Sequence, residues 1–258
     1  MTFDFFSALF SFLFGLALGS FLNVCIYRIP AKISIIRPPS NCPRCGEKIR
    51  FYDNIPLLSF ILLYGKCRYC HDKISWRYPA VEITAGLLSI ALFTRYGFSY
   101  QYIILLFFTL ALVTVSFIDL DHQIIPDIIS LPGILAGLIV SLFSEHLLWH
   151  DSLIGIIAGG GSLFLIGKLY ELITGKEGIG GGDVKLLAMI GAWMGWKALP
   201  LIVLMSSLIG AIIGSVFLLL SGKGLRARIP FGPFLSIGSL LYVFFGRELT
   251  NWYLCLFL

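Results

Sequence analysis

Two groups of acidic residues offer the most specific chemistry in this sequence. Asp119, Asp121 and Asp127 follow one apolar segment, and Asp183 ends the glycine-rich run at 178–182 and begins another apolar segment. A carboxylate close to hydrocarbon costs about 2.5–3.5 kcal/mol on membrane-insertion scales, so its presence invites a functional explanation. Two neighbouring carboxylates cannot both ionise freely, so one keeps a proton while the other acts as a base. Such a pair can activate water, which is the chemistry of aspartyl proteases.

Each acidic group also has a simpler interpretation. One interpretation is that Asp121 and Asp127 are simply solvated, and Asp127 directly after Pro126 suits the first turn of a helix. Asp183 could equally cap the helix that follows it. The glycines before Asp183 favour the catalytic interpretation, because they give the turn conformational freedom and let a peptide approach the backbone.

Four cysteines form a second chemical pattern. Cys42-Pro-Arg-Cys45 and Cys67-Arg-Tyr-Cys70 are two CxxC pairs separated by 21 residues, close to the spacing of four-thiolate zinc sites. Such a site is structural, because four thiolates leave no open coordination position for catalysis. The alternative is a pair of disulfides, which a reducing cytoplasm disfavours.

The elements that must position these residues are membrane helices. Of 258 residues, 58% are hydrophobic and 13% are charged, and the mean hydropathy is +0.91. A bilayer core of about 30 Å needs roughly 20 apolar residues per helix. We therefore predict an all-α polytopic membrane protein with about eight transmembrane helices, at about 5–27, 79–97, 100–118, 124–144, 152–173, 184–197, 199–220 and 232–256. The first span lacks the basic start and cleavage site of a signal peptide, so we expect it to remain in the mature protein.

The basic residues predict the orientation of these spans. The loop at 28–78 holds ten of the 19 Lys and Arg residues, and short basic loops stay in the cytoplasm. Both acidic groups then lie at the cytoplasmic membrane border, and both termini lie outside. This bias also explains the net charge of +5 without nucleic acid as a partner. The predicted domains are a first transmembrane helix at 1–27, a small cytoplasmic zinc-binding loop domain at 28–78, and a membrane bundle at 79–258.

Seven motifs in this order resemble the bifunctional type IV prepilin peptidases, which are leader peptidases and N-methyltransferases of the GxGD aspartyl protease class. The resemblance covers nearly the whole chain. The motifs are Gly19-Ser-Phe-Leu-Asn23-Val with Tyr27-Arg28-Ile-Pro30, the paired CxxC sequences, Asn54-Ile-Pro56-Leu-Leu-Ser59, Arg77-Tyr-Pro79-Ala-Val-Glu82, the Asp119 segment, Lys176-Glu-Gly178-Ile-Gly180-Gly-Gly182-Asp183-Val-Lys185, and Ile229-Pro-Phe231-Gly-Pro233.

The resemblance implies roles for individual residues. The catalytic aspartates of the family fall on Asp119 and Asp183. Its substrates are prepilins or pseudopilins in the lipid of the bacterial inner membrane, cut after a basic leader and before an apolar helix. The family then methylates the new terminal residue from S-adenosylmethionine. The zinc loop is associated with methylation, and Gly65 and Lys66 are implied to contribute to cofactor binding.

Other functions remain open from the sequence alone. A peptidase that has lost methylation would keep both aspartates. A proton-coupled transporter also carries intramembrane carboxylates and glycine-broken helices, although its acids usually lie near the midplane. A zinc-stabilised assembly scaffold would need the cysteines but not both aspartates.

Overall fold

A computed structural model describes residues 5–144, 147–176, 178–221 and 229–257. The structure does not describe Glu177 or three basic residues that the predicted topology places on the cytoplasmic side, Lys223, Arg226 and Arg228. The part of the chain that is described contains α-helices and short 3-10 turns, with no β-strand beyond two isolated bridges. The predicted all-α class is therefore confirmed.

Nine α-helices follow one another in the part of the chain that is described. They are α1 (Phe5–Arg28), α2 (Leu58–Leu62), α3 (Arg77–Tyr96), α4 (Tyr100–His122), α5 (Asp127–Phe143), α6 (Trp149–Thr174), α7 (Gly181–Met194), α8 (Leu199–Ser221) and α9 (Gly232–Phe257) within the described ranges. Every predicted span falls on one of these helices, and α2 is an additional short helix in the polar loop.

Four of the described helical segments are long and apolar enough to cross a membrane. They are Phe5–Arg28, Tyr100–His122, Trp149–Thr174 and Trp196–Phe217. The helices Asp127–Phe143 and Gly232–Gly246 are apolar but shorter. The helical content therefore agrees with a multi-pass membrane protein, while the number of eight spans stays a prediction.

The chain forms two compact units, Met1–Thr114 and Val115–Leu258, and α4 contributes to both. The predicted boundaries at residues 27 and 78 are of a different kind, because they divide the chain by polarity, and they remain predictions.

In the first unit, α1 and α3 pack closely through small residues. A Cβ atom at Gly15 would lie 2.5 Å from Cβ of Ser89, and one at Gly19 would lie 2.7 Å from Cα of Glu82. Near Gly15, the buried hydroxyl groups of Ser11, Ser89 and Tyr102 lie 2.8–3.0 Å from one another. Small residues and satisfied hydroxyls are typical of helix packing in membranes, where apolar burial gives little driving force.

In the second unit, α7 packs against both α5 and α6. The backbones of α6 and α7 meet where a Cβ at Gly155 would lie 2.2 Å from the carbonyl oxygen of Gly191. On the α5 side, Nε1 of Trp193 donates a hydrogen bond of 2.8 Å to the carbonyl of Gly133. Ser152 of α6 donates one of 2.7 Å to the carbonyl of Ala192. These contacts fix the helix whose first turn carries Asp183.

Candidate active site

Asp119 lies in the last turn of α4 and is only 5% exposed. Its Oδ2 accepts a hydrogen bond of 3.0 Å from the backbone N–H of Gly232. Gly232 is the first residue of α9, and the first N–H groups of a helix have no partner within that helix. The carboxylate therefore satisfies an otherwise unpaired donor and lies at the positive end of the helix dipole.

Only glycine fits at position 232 without displacement. A Cβ atom there would lie 2.6 Å from Oδ2 of Asp119 and 3.2 Å from Cδ1 of Ile125. The first of these distances is shorter than any ordinary van der Waals contact. The missing side chain thus allows the backbone N–H to reach the carboxylate.

Asp183 lies in the first turn of α7 and is half-buried. The N-cap residue of α7 is Gly180, and no side chain forms a capping hydrogen bond there. Oδ1 of Asp183 is buried, and no described residue donates a hydrogen bond to it. The capping role considered from the sequence is therefore not seen. A buried carboxylate oxygen without a partner is costly, which is expected where a substrate or water must bind.

The structure brings Asp119 and Asp183 together in the second unit, although 64 positions separate their numbers. Both lie near Ile125: a Cβ at Gly232, whose N–H donates to Asp119, would be 3.2 Å from Cδ1 of Ile125. On the Asp183 side, a Cβ at the adjacent Gly182 would be 2.9 Å from Cβ of Ile125. Two carboxylates in one partly buried site favour a shared proton over two full charges.

The backbone is open at Gly180 and Gly181, three and two positions before Asp183. A Cβ atom at Gly181 would meet no atom within 4 Å, and one at Gly180 would meet only Oδ2 of Asp183, at 3.5 Å. The main chain at these two exposed glycines is therefore uncovered beside the Asp183 carboxylate.

The two other acids of the first group do not join the pair. Asp121 is exposed. Asp127 begins α5 and forms an ion pair of 2.6 Å with Lys185 of α7. Asp127 is therefore not merely solvated, and this ion pair links the two helices beside the site.

The four cysteines Cys42, Cys45, Cys67 and Cys70 form one cluster in the first unit. Their sulfur atoms all lie within 4.8 Å of one another. The Sγ atoms of Cys42 and Cys70 are 3.9 Å apart, and those of Cys45 and Cys67 are 4.0 Å apart. The cysteines are thiols, so the disulfide alternative is not seen. A tetrahedron with zinc–sulfur bonds of 2.3 Å has edges of about 3.8 Å, so the cluster can hold a metal ion.

The two CxxC turns have the same backbone hydrogen bonds. Cys42 N–H donates to the carbonyl of Glu47 and Cys67 N–H donates to that of Asp72, at 2.9 and 2.8 Å. The residue after each second cysteine has a positive φ, 76° at Gly46 and 55° at His71. A backbone hydrogen bond from Cys45 is the main cause that lowers the pKa of the Cys42 thiol to about 7. The two turns therefore hold their cysteines in equivalent backbone conformations, although the pKa values of the Cys45 and Cys70 thiols are raised.

Gly65 and Lys66 precede the second CxxC turn. Gly65 has a φ of 66°, and Lys66 lines a surface cavity of about 420 Å³. Its lining also includes Leu62, Tyr64, Arg68 and His71. The cavity therefore combines basic side chains with aromatic and apolar ones.

Gly232 and Lys185 lie within sequence motifs that predict no role for either residue, and no sequence pattern predicts a role for Ile125. The only sequence signal for Gly232 is its position in Phe-Gly-Pro before an apolar segment, which is typical of a helix start.

Two family models match the chain. The model for the bacterial peptidase A24 N-terminal domain matches residues 13–96, and the model for the type IV leader peptidase family matches residues 106–215. Curated relatives named prepilin leader peptidase/N-methyltransferase align over almost their full length. The relative from Pseudomonas aeruginosa is 42% identical over 94% of this chain and 91% of its own length. The relative from Aeromonas hydrophila is 40% identical over 96% of this chain and 93% of its own length. No solved structure matches the chain.

Proposed function

This chain belongs to the type IV leader peptidase family, and from that premise we propose that it cleaves the leader of prepilins or pseudopilins through Asp119 and Asp183. The observation that carries this proposal is the paired arrangement of the two carboxylates. Asp119 is held by the Gly232 N–H, while Asp183 keeps a buried oxygen without a described partner. One carboxylate is thus fixed and the other is available to water or substrate.

The proposed mechanism uses one proton between the two acids. The ionised carboxylate takes a proton from water, and the protonated one donates a hydrogen bond to the scissile carbonyl. The resulting hydroxide forms a bond to the carbonyl carbon. When the C–N bond breaks, the leaving amine takes the proton that the carboxylate removed from water. The open backbone at Gly180 and Gly181 gives the extended substrate a place beside the pair.

Cleavage takes place at the cytoplasmic face in this proposal. The multi-pass protein belongs to the bacterial inner membrane, and ten basic residues in the loop at 28–78 support a cytoplasmic position of that loop. Both termini are then outside, and lipid surrounds the bundle. A prepilin inserted with its basic leader inside presents the cleavage site at the same border.

The second activity is N-methylation with S-adenosylmethionine as the methyl donor. The loop at 28–78 forms a zinc-stabilised domain in this proposal, in which the four cysteines hold Zn²⁺ in a structural role. Gly65 and Lys66 bind the donor beside the cavity of about 420 Å³. Lys66 supplies the positive charge that the carboxylate of the donor requires, since Arg68 is paired with Asp53. Tyr64 offers a face on which the adenine can stack.

Mass spectrometry of a co-expressed prepilin tests the peptidase assignment, because it reports the cut position and methylation together. We expect Asp119→Asn and Asp183→Asn to abolish cleavage while both variants insert into the membrane normally. Asp121→Asn is the matched control, since Asp121 is exposed on the same helix, and we expect it to cleave normally. Normal cleavage by Asp119→Asn or by Asp183→Asn would contradict the assignment.

The same spectra separate the alternatives. A cleaved pilin without the added methyl mass would identify a peptidase that has lost methylation. A transporter or a scaffold would leave the prepilin uncut in the wild type as well.

A further inference from the structure

A group of buried hydrogen-bond acceptors lies between α1 and α3, in the first unit. Glu82 is 8% exposed and Asn23 is 4% exposed. The amide Nδ2 of Asn23 donates a hydrogen bond of 3.0 Å to the carbonyl of Tyr78, one helical turn before Glu82. A Cβ atom at Gly19, one turn before Asn23, would lie 2.7 Å from Cα of Glu82. Asn23 and Glu82 therefore lie on facing helix surfaces, about one turn apart.

This group has spare capacity to accept hydrogen bonds. Oδ1 of Asn23 is buried, and no described residue donates to it. The Glu82 carboxylate accepts a hydrogen bond of 2.9 Å from the backbone N–H of Leu57, and it also interacts with the Ser20 hydroxyl. A carboxylate has room for about four hydrogen bonds. No Lys or Arg forms an ion pair with Glu82 among the described residues. A buried carboxylate about one helical turn from an unpaired amide oxygen is suited to a small cation with several N–H donors.

The position of the group matches the predicted membrane border. Asn23 precedes Arg28, the last residue of α1, by five positions, and Glu82 follows Arg77, the first residue of α3, by five. At 1.5 Å per residue, both lie about 7.5 Å from the basic helix ends. In the proposed topology this is the depth just inside the cytoplasmic face, where cleavage leaves the new terminus of a pilin helix.

The group also connects to the cavity beside Lys66. Leu57, whose N–H reaches Glu82, is the N-cap residue of α2, and Leu62, the last residue of α2, lines the cavity. Leu57 has a φ of 58°, a conformation that leucine rarely adopts and that is typical of backbone held for a function. A helix of five residues thus joins the acceptor group to the candidate donor site.

We propose that Glu82 and Asn23 bind the α-ammonium group of the cleaved pilin and that Glu82 accepts its proton before methylation. This inference rests on the proposed function. The ammonium nitrogen loses one proton to the Glu82 carboxylate, and its freed lone pair forms a bond to the methyl carbon of the sulfonium donor. The carbon–sulfur bond breaks with its electron pair moving to sulfur. The products are the methylated ammonium, a neutral thioether and one proton, which Glu82 releases to water.

The substitution Glu82→Gln tests this role, because the amide oxygen of glutamine can still accept the Leu57 N–H while the charge is lost. We expect cleavage at the wild-type rate and a rate of methylation that falls about 100-fold or more, the usual contribution of a positioned base. Ser11→Ala is the matched control. It removes a buried hydroxyl from the same helix pair without touching the acceptor group, and we expect both activities to be retained.

A binding measurement separates this role from a structural one. The measurement compares two peptides with the sequence of the cleaved pilin terminus, one with a free amine and one with an acetylated amine. Their binding to the detergent-solubilised protein, or their competition with a methylation substrate, is measured. We expect the wild type to prefer the free amine about tenfold and Glu82→Gln to lose that preference. Equal binding of both peptides by the wild type, or normal methylation by Glu82→Gln, would overturn the inference. Loss of cleavage in the wild type would instead contradict the proposed function.

Discussion

The backbone N–H of Gly232 donates a hydrogen bond of 3.0 Å to Oδ2 of Asp119, across 113 positions of the chain. This contact joins the end of α4 to the start of α9. It fixes one oxygen of the proposed catalytic pair and leaves the other side of the carboxylate for chemistry.

The substitution Gly232→Ala is predicted to reduce cleavage without unfolding the protein. The new Cβ would lie 2.6 Å from Oδ2 of Asp119, so the carboxylate or the start of α9 must shift. A displaced catalytic group costs on the order of 10²-fold in rate, and kcat/KM for prepilin cleavage measures it. Gly161→Ala is the control, since a Cβ there meets no atom within 4 Å. Equal activity of the two variants would contradict the role of Gly232.

The contact between α6 and α7 predicts a strong dependence on glycine. A Cβ at Gly155 would lie 2.2 Å from the carbonyl oxygen of Gly191. Gly155→Ala should therefore force the helices apart and lower the free energy of unfolding by about 1–3 kcal/mol or more. Thermal unfolding in detergent, again compared with Gly161→Ala on the same helix, checks this. An unchanged Tm would show that the helices are not in backbone contact.

The ion pair between Asp127 and Lys185 is predicted to affect cleavage much less than the pair of Asp119 and Asp183. Both side chains are exposed, by 55% and 40% respectively, and exposed pairs contribute about 0.2–1 kcal/mol. Asp127→Asn should lower kcat/KM by less than about fivefold, because 1.36 kcal/mol corresponds to a factor of ten. Loss of cleavage as complete as that of Asp183→Asn would show instead that Asp127 belongs to the catalytic machinery.

Substitutions at equivalent positions of the two CxxC turns are predicted to have opposite effects on the retention of zinc. Gly46 has a φ of 76° and His71 has one of 55°, so only the histidine carries strain, of about 1 kcal/mol. His71→Gly should strengthen retention of zinc against a chelator, and Gly46→Ala should weaken it by a similar amount. Metal content after dialysis against increasing chelator measures both. A weaker site in His71→Gly would mean that the imidazole itself supports the metal.

The sequence predicted where helices occur better than where they begin. The segment expected at 184–197 is α7, Gly181–Met194. The apolar pattern starts after Asp183, but Gly180 serves as the N-cap and the helix includes two glycines and Asp183 itself. Gly195, with a φ of 75°, ends the helix before the apolar pattern does. Local backbone freedom, rather than hydrophobicity, sets both ends.

Long-range partners could not be predicted from the sequence. The two CxxC pairs could be matched because zinc ligands have a characteristic spacing, and the cluster of four thiols is confirmed. No such rule connects Asp119 with Gly232, or Glu82 with Leu57 across 25 positions. Those contacts depend on how helices pack, which apolar patterns alone do not specify.

The two CxxC turns each supply only half of a metal site, so neither turn is complete without the other. In the proposed assignment the ion ties together the segment that carries the methyl-donor site, whereas both catalytic aspartates belong to the second unit. Bacteria starved of zinc are therefore expected to contain substrates that are trimmed but lack the terminal methyl group.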